Sequence, residues 1–264
     1  MYCYIRGSKY GTNLHETVAL KSNAREVLEK QLARRAKRGE YGIIALASST
    51  DPYLPLPEGL ALTRDLLTII RTYRFPVEIS TKSTLVIRDL DVLKQIDETA
   101  ILPADLQREL KRGVIISFSF STLDEALARI LEPGASSTLE RLETMRACKE
   151  QDFLTGATFI PVLPFISDSE AALDTMIGTA KGYGADFVLV GGLTLFGDGP
   201  IDCRTLYYQF LANHHPELIP RYRSLYRIFH YPDKTYTDRL AATAAKLCRK
   251  HGVRNTIVER NSPQ

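Results

Sequence analysis

The chain has no uncharged apolar run long enough to cross a bilayer. The richest, FVLVGGLTLFG, has 11 residues against the roughly 18–20 that a spanning helix needs. A basic segment followed by an apolar stretch is also missing at the N-terminus, so no secretory signal is read there and the expected location is cytoplasmic, away from membranes. Cysteine is scarce: Cys3, Cys148, Cys203 and Cys248 lie far apart with no CxxC pair, which excludes a disulfide scaffold and favours reduced thiols. Neither GxGxxG nor GxxxxGK[ST] follows a strand pattern, so the common nucleotide-binding fingerprints are absent. His15, His214, His215, His230 and His251 have no acidic or cysteine companion at catalytic spacing, and no Ser/His/Asp arrangement is visible.

What is present is an ordinary globular composition, 44% hydrophobic and 25% charged, in 264 residues. That length holds one large α/β domain or two small ones. The net charge of +3 hides a polarity. Residues 1–38 carry 9 basic against 3 acidic side chains and residues 221–254 carry 9 against 2, whereas residues 39–220 carry 15 against 25. Basic ends of this kind either suit a polyanion such as a nucleic acid or solvate helix faces. In the second basic segment Tyr222, Tyr226, Phe229 and Tyr231 alternate with arginines, a pattern that either stacks on unpaired bases or packs helices onto a core.

Short apolar runs alternate with amphipathic helical patterns. Strands are expected near residues 42–48, 77–81, 114–119, 156–161 and 186–191. SNAREVLEKQLARRAKRG reads as a helix opened by an Asn23–Glu26 capping box, STLERLETMRACKEQ as one opened by Ser137–Glu140, and SDSEAALDTMIGTAKGYG as one opened by Ser167–Glu170. LQRELKRG reads as the end of another helix, and the chain from Thr205 onward as largely helical. Five such βα units predict a parallel sheet, either doubly wound or part of a barrel. Polar clusters just past the strand ends, at residues 48–52, at Ser80-Thr81-Lys82-Ser83, at residues 117–121 and from Pro161, favour a barrel, whose sites collect at that rim.

Five stretches carry a resemblance: YCYIR, STDPYLP, ISTKSTLVIRDLDVL, ISFSFSTLDEALARILEPGASSTLERLE and ATFIPVLPFISDSE. In order and spacing, over roughly residues 2–200, the chain resembles the radical S-adenosylmethionine superfamily in its spore-photoproduct-lyase-like branch of DNA-repair-type enzymes. The resemblance implies an α/β fold, a partial (β/α)6-type TIM barrel over residues 1–204, with residues 205–264 as a C-terminal helical extension packed on it. It implies a [4Fe–4S] cluster and S-adenosylmethionine as cofactors, an electron donor such as flavodoxin or ferredoxin, and a nucleic acid as candidate substrate. In the family a CxxxCxxC loop supplies three thiolates to the cluster. Cys3 matches the third of these, so the resemblance places the other two ligands and the first barrel strand upstream of Met1.

Further residues acquire expected roles from the same match. Tyr2 corresponds to the aromatic residue whose backbone meets the adenine. Thr50 and Asp51 fall where the family binds the methionyl amine, although Asp51-Pro52 also reads as a plain turn. Lys82 is placed to pair with the cofactor carboxylate or a substrate phosphate. Ser117 and Ser119 alternate on one strand face and either donate to the cofactor or are satisfied by backbone. Arg141, a cation in a first helical turn, calls for a paired carboxylate, and Glu140 is the candidate. Ile160 and Pro161 fall where an apolar residue packs on the adenine. Two other classes remain open: a cluster-free barrel acting as a binding module, and an ordinary barrel aldolase or phosphate-binding enzyme. A mid-strand lysine and a glycine-rich phosphate loop would favour the latter, and GGLTLFGDG is a faint candidate for the loop.

Overall fold

The computed structural model describes residues 1–3, 5–7, 19–47 and 50–258; Tyr4, His15, Ser48 and Ser49 lie outside the described residues. The β-branched runs become five strands: β1 (Ile44–Leu46), β2 (Val77–Thr81), β3 (Val114–Ser119), β4 (Leu154–Val162) and β5 (Phe187–Gly192). All neighbours are parallel and the spatial order is the chain order, β1-β2-β3-β4-β5. Parallel neighbours need long crossovers, and helices supply them. These are α2 (Pro57–Thr72), α3 (Leu90–Thr99), α4 (Glu125–Leu131) with α5 (Thr138–Glu150), and α6 (Glu170–Gly182), while α1 (Ala24–Lys37) precedes β1. No strand reverses the order, so the sheet is the partial-barrel arrangement and not a doubly wound one.

Alternation along each strand sends side chains to two different environments. On the outer face Val77, Ile79, Ile116, Phe118, Ala157, Phe159 and Val188 join Leu67, Ile70, Leu93, Met145 and Ile177 of the helices in one core. The inner face is apolar only toward the strand N-termini, where Ile115, Leu154 and Phe187 pack with Leu110. Phe187 fills the space above Gly156: a Cβ there would lie 2.4 Å from the ring. Burying such a ring contributes roughly 1.5–3 kcal/mol, so this plug closes one end of the barrel interior. Above it the inner face turns polar.

Three local expectations need correction. The Ser137–Glu140 capping box is complete, but Asn23 caps α1 without a side-chain hydrogen bond. The N-cap of α6 is Ser169; Ser167 instead donates to the Ser121 carbonyl (2.9 Å) and accepts from the Leu163 N–H (2.8 Å), tying two loops together. Residues 104–109 form turns and no helix, because Leu102, Leu106 and Leu110 are drawn under the plug at the barrel's closed end.

After β5 come α7 (Cys203–His214), a 3-10 turn, α8 (Ile219–Leu225) and α9 (Lys234–Lys250). α9 contributes Tyr236, Leu240, Leu247 and Cys248 to the main core, and ion pairs Lys246–Glu170 and Lys250–Asp174 fasten it to α6. α7 and α8 form a second core with Tyr2, Leu131, Leu163, Leu193 and Leu195. Its tyrosines keep their hydroxyls paired, as buried hydroxyls require: Tyr207 to Tyr222 (2.9 Å), Tyr222 to the Pro164 carbonyl (2.6 Å) and Tyr226 to the Leu193 carbonyl (2.8 Å).

Candidate functional site

The polar part of the inner face opens at the strand C-termini into a cleft of about 310 Å³. The segment after β1 brings Thr50 and Asp51 to it, β2 brings Glu78, Ser80 and Lys82, and β3 brings Ser119. Ile160 and Pro161 lie near the end of β4 on the far side, with Gly192 at the end of β5, Thr194 beyond it, and Tyr2 and Cys3 from the N-terminal segment. The cleft thus gathers residues from Tyr2 to Thr194, through the order of the strands and the placing of the N-terminal segment.

Asp51 is held rather than loose. One carboxylate oxygen accepts from the Tyr53 N–H (2.9 Å) and the Thr81 hydroxyl (2.7 Å), the other from the Lys82 N–H (2.6 Å). A carboxylate offers about four acceptor positions, so one remains for a ligand. The Thr50 N–H donates to the Ala47 carbonyl (3.0 Å). The Lys82 ammonium lies 5.8 Å from the centroid of the Tyr2 ring, and among the described residues no carboxylate pairs with it. Across the cleft Ile160 is 48% exposed, an apolar side chain facing solvent in a polar recess. It rests on Gly191, where a Cβ would come within 3.1 Å of it.

Ser119 lines the cleft, and Ser117 does not: it is buried one layer below, donating to Glu78 (3.3 Å) and to the Ile79 carbonyl (3.3 Å). Arg141 is also off the cleft wall. It is 1% exposed, donates to the Ser119 carbonyl (2.5 Å), and pairs at 2.8 Å with Glu132. Glu140, the partner expected from sequence, is occupied by the capping box of its own helix. Glu132 is the hub that sequence reasoning missed. It accepts hydrogen bonds from the Tyr2 hydroxyl and the Ser121 hydroxyl while pairing with Arg141, and the Met1 ammonium donates to the adjoining Leu131 carbonyl (2.6 Å). Burial and the Glu132 charge hold the Tyr2 phenol well above its usual range. The signal was available in ILEPGA, an acid directly before a Pro-Gly turn that follows an apolar helix.

Glu78 was missed as well. It is the acid in VEIST, on a strand otherwise made of apolar and hydroxyl residues, and burial raises its carboxyl above the ordinary value, with the Ser117 hydrogen bond opposing. Other expectations fail on contact. No lysine lies within any of the five strands, so the feature that would favour an aldolase is missing from them. The GGLTLFGDG segment is filled by the chain's own anion: Asp202 accepts from the Gly199 N–H (2.8 Å), so a phosphate would meet a carboxylate. His251, without a companion in sequence, lies 2.7 Å from Asp174 just past the end of α9, and the His230 ring sits 4.8 Å from the Phe196 ring, tilted by 34°. Tyr222 and Tyr226 are buried, whereas Phe229 and Tyr231 are exposed and stacked, 5.1 Å apart and 3° from parallel.

A [4Fe–4S] cluster asks for three thiolates. Cys3 is exposed at the cleft, but Cys148, Cys203 and Cys248 are buried elsewhere, and burial pushes their thiols up to about 12, about 11 and about 11. Among the described residues no group of three or more ligating side chains can hold a metal. The residues therefore fit one ligand of a cluster and not a full set.

No family model matches the chain. It is 31% identical over 256 residues to the uncharacterized protein Rv2578c of Mycobacterium tuberculosis, spanning 95% of this chain and 70% of the relative, and equally to Mb2609c of Mycobacterium bovis. The chain belongs to their family. A more distant relative is the uncharacterized protein MJ0683 of Methanocaldococcus jannaschii, 24% identical over 64% of this chain and 58% of the relative. Among solved structures, a variant of spore photoproduct lyase superposes with a TM-score of 0.64 at 15% identity, over 95% of this chain and 69% of that one. Another variant, with bound AdoMet and dinucleoside spore photoproduct, gives 0.63 at 14% over the same shares. The fold is that of spore photoproduct lyase, and the resemblance drawn from the motifs is matched at that level.

Proposed function

We propose that this protein binds S-adenosylmethionine in the rim cleft and acts as a radical S-adenosylmethionine enzyme of the spore-photoproduct-lyase type. The observation that carries the reading is the separation of unlike groups along one recess. A held acid, Asp51, and a lysine with no carboxylate partner among the described residues, Lys82, follow adjacent strands, and an exposed apolar residue, Ile160, stands near the end of a strand two places further on. An amino-acid group with both charges matches the first pair, and a flat aromatic base matches the second site. The AdoMet in the similarly folded lyase variant supports the assignment. In this reading Thr50 and Asp51 take the ammonium, Lys82 the carboxylate, and Ser119 a ribose hydroxyl, while Ile160, Pro161 and the Tyr2 backbone flank the adenine. Ser117 and Arg141 act from below, through Glu78 and the Ser119 carbonyl.

With a cluster bound, this cofactor would supply a 5′-deoxyadenosyl radical for hydrogen abstraction. Cys3 is the thiol that these residues offer such a cluster. That single ligand favours a second reading, a cleft that binds S-adenosylmethionine without cleaving it. Equilibrium dialysis with S-adenosylmethionine, followed by anaerobic reconstitution with iron and sulfide and an assay for 5′-deoxyadenosine, separates the two. Binding with cleavage supports the enzyme; binding without cleavage supports the binding module; no binding overturns both.

For the substrate we propose an unstacked nucleic acid strand. Residues 219–231 contain no acid, Arg221, Arg223 and Arg227 are exposed, and the same segment carries the stacked Phe229–Tyr231 pair. The segment is tied to the cleft by the Leu195 N–H donating to the His230 carbonyl (2.7 Å), next to Thr194. Stacking on such rings is worth about 1–3 kcal/mol per base. Filter binding of single-stranded DNA should weaken steeply between low and moderate salt and weaken again in the Phe229→Ala, Tyr231→Ala double variant. Absence of binding at low salt would turn the search to small molecules or peptides.

A further inference from the structure

The cleft has three charged side chains among the residues that line it, Asp51, Lys82 and Glu78. The proposed function uses the first two. Glu78 is unlike Glu132 in having little to neutralise it: its contact is a 3.3 Å hydrogen bond from Ser117, and burial is what dominates its environment. The other titratable groups on the cleft wall are Tyr2 and Cys3 of the N-terminal segment; β3, β4 and β5 present hydroxyl, backbone and apolar groups. Arg141 is not available to Glu78, because it is committed to Glu132 and the Ser119 carbonyl.

A second observation concerns order along the sheet. Asp51 follows β1 and Lys82 ends β2, while Ile160 ends β4. Ser119, on β3, falls between these two ends, and Glu78 faces the same recess from β2, deeper along the strand that leads to Lys82. S-adenosylmethionine carries an ammonium and a carboxylate at one end, an adenine at the other, and a cationic sulfonium between. Its net charge is +1, and the three side chains sum to −1 when Glu78 is ionised.

We propose that Glu78 is the counter-charge for the sulfonium, so that this cleft distinguishes the charged S-adenosylmethionine from its neutral thioether, S-adenosylhomocysteine. The inference rests on the reading of the cleft as an S-adenosylmethionine site and extends it to specificity. Discrimination arises because a partly buried carboxylate gains most from a cation that reaches it where water is scarce. A linkage follows. In the free cleft burial favours the protonated Glu78, and a sulfonium favours the ionised form, so binding of the cation releases a proton. Affinity for S-adenosylmethionine should then rise with pH through the window above the ordinary glutamate value, while affinity for the thioether should not.

Isothermal titration calorimetry of both ligands tests this on the protein as isolated, with no need for turnover. Wild type is expected to prefer S-adenosylmethionine by about tenfold or more. Glu78→Gln should bring that preference close to one by weakening S-adenosylmethionine alone, and should flatten its pH dependence. Asp51→Asn should weaken both ligands alike. A preference that survives in Glu78→Gln, a parallel loss of both ligands in that variant, or no preference in wild type overturns the role of Glu78 while leaving the cleft as the binding site. Failure of S-adenosylmethionine to bind wild type, or its indifference to Asp51→Asn, overturns the cleft reading itself.

Discussion

Glu132, at the end of α4, and Glu78, on β2, are two acids whose surroundings are opposite. The centre around Glu132 is closed: an arginine, two hydroxyls and the neighbouring N-terminal segment surround a carboxylate that is 4% exposed. The centre around Glu78 is open: one serine, a cleft, and no cation among the described residues that line it except Lys82 at the rim. A buried charge is tolerated where it is paired and hydrogen-bonded. The closed centre therefore explains itself as structure, holding Tyr2, and with it the Cys3 segment, against β3. The open centre does not, and an unmatched charge facing a cleft is the usual mark of a site that a ligand completes.

Breaking the closed centre should give the largest effect. Arg141→Met leaves Glu132 with its hydroxyl donors and no cation, and removing one partner of a buried pair is worth about 3–5 kcal/mol. Urea denaturation should show that loss, and the Arg141→Met, Glu132→Gln double variant should recover much of it. A loss below about 1 kcal/mol in the single variant would mean that the two centres are not as different as their contacts indicate.

The plug under the open centre comes next. Gly156→Ala places a Cβ against Phe187 at a distance no real contact shows. Overpacking of this kind is worth about 1–3 kcal/mol, visible as a lowered midpoint in the same titration. At the rim, Lys82→Met should do the reverse. Lys82 has a ring contact with Tyr2 and no carboxylate partner among the described residues, so stability should move by less than about 1 kcal/mol. S-adenosylmethionine affinity should fall about tenfold. A stability loss without an affinity loss would assign Lys82 to the closed network.

Much of this contrast lay below what sequence alone can resolve. The five strands were legible because β-branched runs such as VIISFS are a local signal, and their sequential order followed from the alternation with helices. Asp51, Lys82 and Ile160 were legible because each stands at a strand end. Glu132 was not, since its partner Tyr2 is 130 residues away and the nearer Glu140 satisfied the same rule on paper. Ser117 and Ser119 share a face, as alternation requires, but only the register between strands decides that one is floor and the other wall. The split between buried Tyr222 and Tyr226 and exposed Phe229 and Tyr231 has the same origin: one basic aromatic stretch crosses from a core to the surface within a few residues.

The smallest expected effect is the most direct test of the open centre. Burial raises the Glu78 carboxyl in the folded chain, so the folded state holds its proton at pH values where the unfolded chain has released it. The contribution to stability is therefore lost as pH rises, from the ordinary glutamate value near pH 4.3 through the raised folded value, and is flat beyond. Glu78→Gln removes this titration and keeps the shape. Every other carboxylate titrates alike in the two proteins, so the difference between their unfolding free energies isolates Glu78. That difference should grow in favour of the glutamine variant across the window above about pH 4.3 and then level off. Saturating S-adenosylmethionine should shrink it, because the sulfonium stabilises the ionised wild-type form. A difference that is independent of pH, or one in which wild type gains with rising pH, would mean that Glu78 is already matched in the free fold, and the distinction between the two acids would go with it.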